Sequence, residues 1–125
     1  VGSGVGRLSK IMVDRGWKVC AIDSNFRPDY VFEPFPLSGL EFRYPANAVP
    51  IFARPDHSGW VSYAIEKALT DGAPFALYVG LKKNFAKDLG RIRKKYRFIK
   101  EKFRAGRDGE TIIRIERNHE RLPSQ

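Results

Sequence analysis

Gly2, Gly4 and Gly6 stand at every second position of Val1-Gly2-Ser3-Gly4-Val5-Gly6, and an acid, Asp23, ends the apolar run that comes after them. Residue types in this order suit a nucleotide. Alternate glycines let the backbone turn sharply and approach a ligand with no side chain in the way. A helix beginning directly after them aims its unpaired N–H groups and positive dipole end at whatever lies over the turn. A carboxylate about twenty residues on, at the tip of the following strand, can accept hydrogen bonds from both hydroxyls of a ribose. Asp23 has a second reading, as the residue that tightens a turn through Ser24 and Asn25.

The glycine spacing separates the cofactors. A dinucleotide fold of the dehydrogenase type uses G-x-G-x-x-G, which would need glycine at position 7, and that residue is Arg7. A P-loop ends in Gly-Lys-Ser/Thr, and no such tripeptide is present. The G-x-G-x-G turn, the amphipathic segment after it, the glycine stop Gly16 and the strand-end acid Asp23 closely resemble motif I of class I S-adenosylmethionine-dependent methyltransferases and the acidic position that follows it. The resemblance covers about a fifth of the chain. It implies a Rossmann-like α/β open sheet, mostly parallel, with a C-terminal antiparallel hairpin. It also implies S-adenosylmethionine as cofactor, with Gly2, Ser3, Gly4 and Gly6 around its amino-acid end and Asp23 on its ribose. In that family a central strand, with an acid two places before the first glycine, would precede Val1. If Tyr30-Val31-Phe32 is the family's third strand, Glu33 falls near the adenine amine and Phe35 over the ring, although Phe35 reads equally well as core.

A second concentration of chemistry is Arg54-Pro55-Asp56-His57-Ser58-Gly59-Trp60, the loop after the next strand candidate. The resemblance makes this loop face the methyl donor, so Asp56 and His57 are the candidates for acceptor contact. The Asp/Asn-Pro-Pro-aromatic signature of some amino-directed methyltransferases is not matched. Histidine as a residue type suits the work of a general base near neutral pH. The alternatives are ordinary: Asp56 or Ser58 capping the next helix, and a structural histidine.

The net charge is +9, and residues 82 to 104 alone carry it, with eleven Lys and Arg against Asp88 and Glu101. So local an excess suits a polyanion, because neutralising phosphates releases counterions. Lys82, Lys83, Lys87, Arg91, Lys94 and Lys95 are the candidate nucleic-acid contacts, with RNA the guess on charge alone. The competing reading is a solvated helix face and edge strand kept soluble by charge.

The elements that must position these groups follow from periodicity. Leu8, Ile11, Met12 and Arg15 recur at helical spacing, so a helix is expected to lay this stripe on a sheet, with Gly16 as its left-handed stop. Residues 18–22 read as a buried strand, in which Cys20 is a buried inert thiol. Four prolines between residues 24 and 48 exclude a long helix. Residues 49–53 form a strand, Trp60 to Thr70 a buried helix, and 74–81 a strand covered on both faces. A helix over Phe85–Tyr96 holds Phe85, Leu89 and Ile92 inward. Phe98–Arg104 and Thr111–Arg117 form a hairpin, a second match to the methyltransferase pattern, and residues 118–125 a frayed tail.

At 125 residues, with 42% hydrophobic residues, the chain suits one domain spanning 1–125. No run is long and apolar enough to span a membrane, no signal peptide is visible, and one cysteine leaves no internal disulfide, which together fit the cytoplasm. No metal-ligand cluster is present, so no metal is expected, and the sequence leaves the oligomeric state open. The leading expectation is a compact S-adenosylmethionine-binding methyltransferase-like protein acting on nucleic acid. The alternative is a non-catalytic Rossmann-like module that binds nucleic acid or a protein through its basic region.

Overall fold

The computed structural model describes residues 1–2, 6–24, 29–53, 55, 59–101 and 110–118. The chain divides into two compact units, Val1–Arg43 and Tyr44–Gln125.

The second unit is an α/β structure around a mixed open sheet. Its strands are β1 (Ile51–Ala53), β2 (Ala76–Leu81), β3 (Tyr96–Glu101) and β4 (Glu110–Arg117), in spatial order β1-β2-β4-β3. β1 and β2 are parallel, with Phe52 opposite Tyr78. β4 lies between β2 and β3 and is antiparallel to both, placing Ile113 opposite Tyr78 and Ile115 opposite Phe98. Three strands therefore run one way and β4 the other.

A parallel pair needs a crossover, and the helix α2 (Trp60–Thr70) supplies it. Val61, Ala64, Ile65, Ala68 and Leu69 recur at three and four residues and are all buried, so its inner face is apolar apart from the buried Ser62. Arg117 of β4 closes its C-terminal end, donating from Nη1 to the carbonyls of Leu69 (2.6 Å) and Ala73 (2.9 Å). Leu69 lies in the last turn, where carbonyls run short of internal donors, and Ala73 lies in the chain just beyond the helix. Asp71 accepts from the Tyr44 N–H at 3.0 Å and from Lys67 Nζ at 2.8 Å.

Two expectations change here. Burial of β2 alternates, with Ala76, Tyr78 and Gly80 inside and Leu77, Val79 and Leu81 half-covered, so one face of the strand is not sealed. The helix expected over Phe85–Tyr96 is also shorter. It consists of a 3-10 turn (Lys82–Asn84), the helix α3 (Phe85–Leu89) and a second 3-10 turn (Gly90–Ile92). Gly90 is a weak helix former in mid-segment, and Tyr96 is drawn off as the first residue of β3, opposite Arg117. Leu89 and Ile92 are buried as expected, and Phe85 is half-buried against Tyr78, with ring centroids 5.6 Å apart edge to face.

The first unit contains the helix α1, over Arg7–Asp14. It ends as expected at Gly16, at φ 91°. The Gly16 N–H reaches the Val13 carbonyl at 2.9 Å and the Trp17 N–H the Met12 carbonyl at 3.0 Å, the paired closure in which a left-handed residue ends a helix.

The expected stripe is not buried. Ile11 is 51% exposed and Leu8 is exposed, whereas Ser9 is only 8% exposed. The cause is the turn before the helix. A Cβ on Gly6 would lie 2.4 Å from the Phe32 carbonyl oxygen, so the Phe32 backbone packs directly on Gly6. The face that continues from Gly6 at spacings of three is Ser9 and Met12, and that is the face turned inward.

Residues 18–22 form one parallel bridge, Ile22 to Phe35, rather than a buried strand. The Phe35 N–H donates to Ala21 at 2.9 Å and the Asp23 N–H to Phe35 at 3.1 Å. The Leu37 N–H, which could have extended the ladder, turns back to the Phe35 carbonyl at 2.8 Å. Pro34 and Pro36 have no N–H to offer along the other edge. Ala21 and Ile22 are buried, but Cys20 is exposed, contrary to expectation, because a single bridge leaves its flank uncovered. Residues 30–32 are not the expected third strand, and Val31 and Phe32 form a bend. Beyond them Ser38 and Glu41 cap one another: Ser38 Oγ accepts the Glu41 N–H at 3.2 Å, and Glu41 Oε1 accepts the Ser38 N–H at 3.1 Å.

Candidate functional site

In the first unit the glycine turn leads into α1 through Gly6, at φ 91°. No side chain caps the helix, and the first internal hydrogen bond runs from the Lys10 N–H to the Gly6 carbonyl at 2.9 Å. The N–H groups of Arg7, Leu8 and Ser9 thus stand outside the helical ladder, at the positive end of the dipole. Gly2 is also left-handed, at φ 64°. Ser3 and Gly4 lie outside the described residues.

Asp23 is the first residue beyond the Ile22–Phe35 bridge and is half-buried. The bridge fixes its backbone, so its place at the carboxyl end of the extended segment is set by hydrogen bonds and not by loop preference. Glu33 is exposed and stands two residues before the bridge, on the segment that abuts Gly6 through Phe32. Asp23 and Glu33 therefore lie on opposite sides of the pairing residues. Phe35 uses its backbone for the bridge and leaves its side chain outside, at 61% exposure, so it is not core.

In the second unit β1 and β2 are parallel and end at the same sheet edge, where Lys82 and Lys83 follow β2 directly. Asp56 and His57, which come after β1, lie outside the described residues.

The basic residues separate into two groups. Lys82, Lys83, Lys87 and Lys94 are exposed. Arg91 and Lys95 meet on Glu66 of α2: Arg91 Nη1 lies 2.8 Å from Glu66 Oε1, and Lys95 Nζ lies 3.1 Å from Oε2. Hydrogen bonds from Arg91 and then Lys95 hold the Glu66 carboxyl below its ordinary range. The Arg91 guanidinium also lies over the Tyr63 ring, 3.8 Å from its centroid. Glu66 and Tyr63 are three apart on α2, so one helix face supplies both the counter-ion and the ring.

Glu66 escapes a reading of residues 82–104 because it belongs to another element. The sequence does carry a signal for a second group, the buried Asp88. It falls three residues after Phe85 and four before Ile92, on the inward face, and accepts the hydroxyl hydrogen of Tyr78. Burial, then the hydrogen bond to Asp88, raises the Tyr78 hydroxyl above the ordinary tyrosine range.

Among the described residues no three His, Cys, Asp or Glu side chains converge as a metal site, and no helix is long and apolar enough to cross a membrane. Comparison with protein-family models, with curated proteins and with solved structures returned no match.

Proposed function

We propose that the chain is an S-adenosylmethionine-binding, methyltransferase-like protein whose acceptor is a nucleic acid. The observation that carries the reading is the run from Gly6 through α1 and its Gly16 stop to Asp23, at the carboxyl end of a backbone-paired segment. Residues of the first unit fit the two polar ends of the cofactor. The helix-start N–H groups of Arg7, Leu8 and Ser9 suit a carboxylate, and Asp23 suits a pair of ribose hydroxyls. Bound there, the cofactor would supply an electrophilic methyl group. The chain's own part in such a reaction is chiefly to hold donor and acceptor in line.

The second unit adds support of a coarser kind. Its β1-α2-β2 crossover, with β4 entering antiparallel between β2 and β3, is the ending that the class I resemblance leads one to look for. Asp56 and His57 remain the candidates for acceptor contact, on sequence grounds. The non-catalytic alternative draws on a different observation, the exposed lysines that follow β2.

The test is calorimetric titration of the protein with S-adenosylmethionine and S-adenosylhomocysteine, with NADH as control. Micromolar binding that Asp23→Ala weakens by about 1–3 kcal/mol, the scale of a hydrogen bond to a charged group, supports the reading. A folded protein that binds neither adenosyl ligand sinks it. Binding that is intact while Asp56→Ala and His57→Ala leave turnover unchanged would move the acceptor site elsewhere.

A further inference from the structure

The Tyr63–Arg91 stack is not used by the cofactor reading, and its construction is unusual for a surface pair. Tyr63 is 53% exposed on α2, a helix whose aliphatic side chains are all buried. An exposed ring ordinarily moves among rotamers, and ordering it on binding costs free energy. Here one side is occupied by the Arg91 guanidinium at 3.8 Å. Arg91 is itself held by Glu66 at 2.8 Å, and Glu66 is held again by Lys95 at 3.1 Å. Ring and guanidinium are thus ordered before any ligand arrives.

The charge around this stack has a consistent sign. Lys83, Lys87 and Arg91 follow one another at intervals of four along the 3-10/α3/3-10 segment packed on α2, and Lys83 and Lys87 are exposed. Among the described residues neither lysine is within ion-pair distance of a carboxylate. Glu66 is already occupied by two cations, so it does not cancel them.

A flat, preordered π surface beside unneutralised ammonium groups matches a ligand with flat faces and regularly spaced anions. In single-stranded nucleic acid the bases are free to stack on tyrosine or on a guanidinium plane, while lysines follow the phosphates. A duplex keeps its base faces buried, and an acidic peptide has no such faces to offer. Stacking also explains why arginine, rather than lysine, stands at position 91, since only a guanidinium presents a plane.

We propose that Tyr63 and Arg91 form a base-stacking platform for single-stranded nucleic acid, with Lys83 and Lys87 contacting its phosphates. The platform deepens the acceptor side of the function proposed above and rests on that reading only for what happens to the bound strand. Binding to it requires no S-adenosylmethionine, so its failure and the failure of the cofactor titration are read separately.

The experiment is fluorescence anisotropy of the whole chain with short labelled oligouridylate and oligothymidylate. A duplex of the same length and heparin, a polyanion without bases, serve as comparators. The expected result is single-strand binding tighter than duplex binding, weakening steeply with salt. Tyr63→Ala lowers single-strand affinity about tenfold or more, the scale of a lost base–aromatic stack, and leaves heparin binding unchanged. Arg91→Lys keeps the charge and removes the plane, so it weakens the single strand and spares heparin; it also carries the test if the alanine variant misfolds. Lys87→Ala weakens all the polyanions together and flattens the salt slope. Equal binding of duplex and single strand overturns the proposal. So does a Tyr63→Ala or Arg91→Lys variant that binds oligonucleotide as the parent does, and so does a loss that is the same for heparin, which would mark a face for acidic surfaces in general.

Discussion

The two units of this chain handle apolar residues in opposite ways. In the Tyr44–Gln125 unit, Phe52, Val61, Ile65, Leu69, Tyr78, Leu89, Ile92 and Ile115 are all essentially inaccessible. In the Val1–Arg43 unit, Ile22 is the one large aliphatic side chain among the described residues that is comparably buried. Leu8, Ile11, Val13, Trp17, Val31, Phe35, Leu37 and Leu40 are exposed. The difference lies in backbone pairing rather than composition. Four paired strands give α2 and α3 a surface to cover, whereas one bridge between Ile22 and Phe35 gives α1 none. An amphipathic helix draws most of its stability from the surface it covers. The first unit is held chiefly by turns and caps: the Gly16 closure, the Ser38–Glu41 pair and the Gly6–Phe32 approach.

The contrast predicts where substitutions will matter. The largest effect belongs to Ile65→Ala, which empties a fully buried site and should cost about 2–5 kcal/mol in denaturant unfolding. Ile11→Ala should stay within about 0.5 kcal/mol, and a similar loss at both positions would break the comparison. Tyr78→Phe comes next. It removes the hydroxyl donated to buried Asp88 and should cost about 1–3 kcal/mol, while Phe85 keeps its ring contact.

Gly6→Ala is local in its effect. The new Cβ would collide with the Phe32 backbone at a residue already at φ 91°, so amide protection should fall across residues 6–24 while the four-strand sheet exchanges as before. If sheet amides lose protection equally, the units are not separate in stability.

The smallest effect is electrostatic. The folded state depresses the pKa of Glu66, so the stability from its ion pairs is complete above the unfolded value of 4.5 and is lost as pH falls below it. Glu66→Gln should remove that acid-side dependence and lower the neutral-pH melting temperature only slightly, because the pairs are largely open to solvent. A large drop at neutral pH would show that the Arg91–Lys95 cluster contributes to the core.

What the sequence makes legible follows the same division. Helix α2 and the antiparallel pair were readable because each is long enough for its period to stand out, and both lie in the sheet unit. The left-handed stop at Gly16 was readable because only glycine takes that conformation at low cost. The orientation of α1 is not readable. Leu8, Ile11 and Met12 have sound helical spacing, yet which face turns inward was decided by Phe32, a residue far along the chain. The burial of Cys20 was misjudged for a related reason: apolar neighbours identify a strand only where a partner extends the ladder, and Leu37 turns back. In the basic segment, the helical face that reveals Asp88 could be read locally, whereas the cross-element pairing of Arg91 and Lys95 with Glu66 could not.

Gly80 of β2 carries one more consequence. Tyr78, two residues before it on the same face, leans across it, so that a Cβ on Gly80 would meet the Tyr78 hydroxyl oxygen at 2.6 Å. That oxygen is anchored on Asp88 and cannot swing aside. Positions 78 and 80 are consequently coupled. A side chain at 80 needs a smaller residue at 78, and that change also takes from Asp88 the hydrogen bond of the Tyr78 hydroxyl. Any homologue with alanine or serine at 80 should carry a smaller residue at 78.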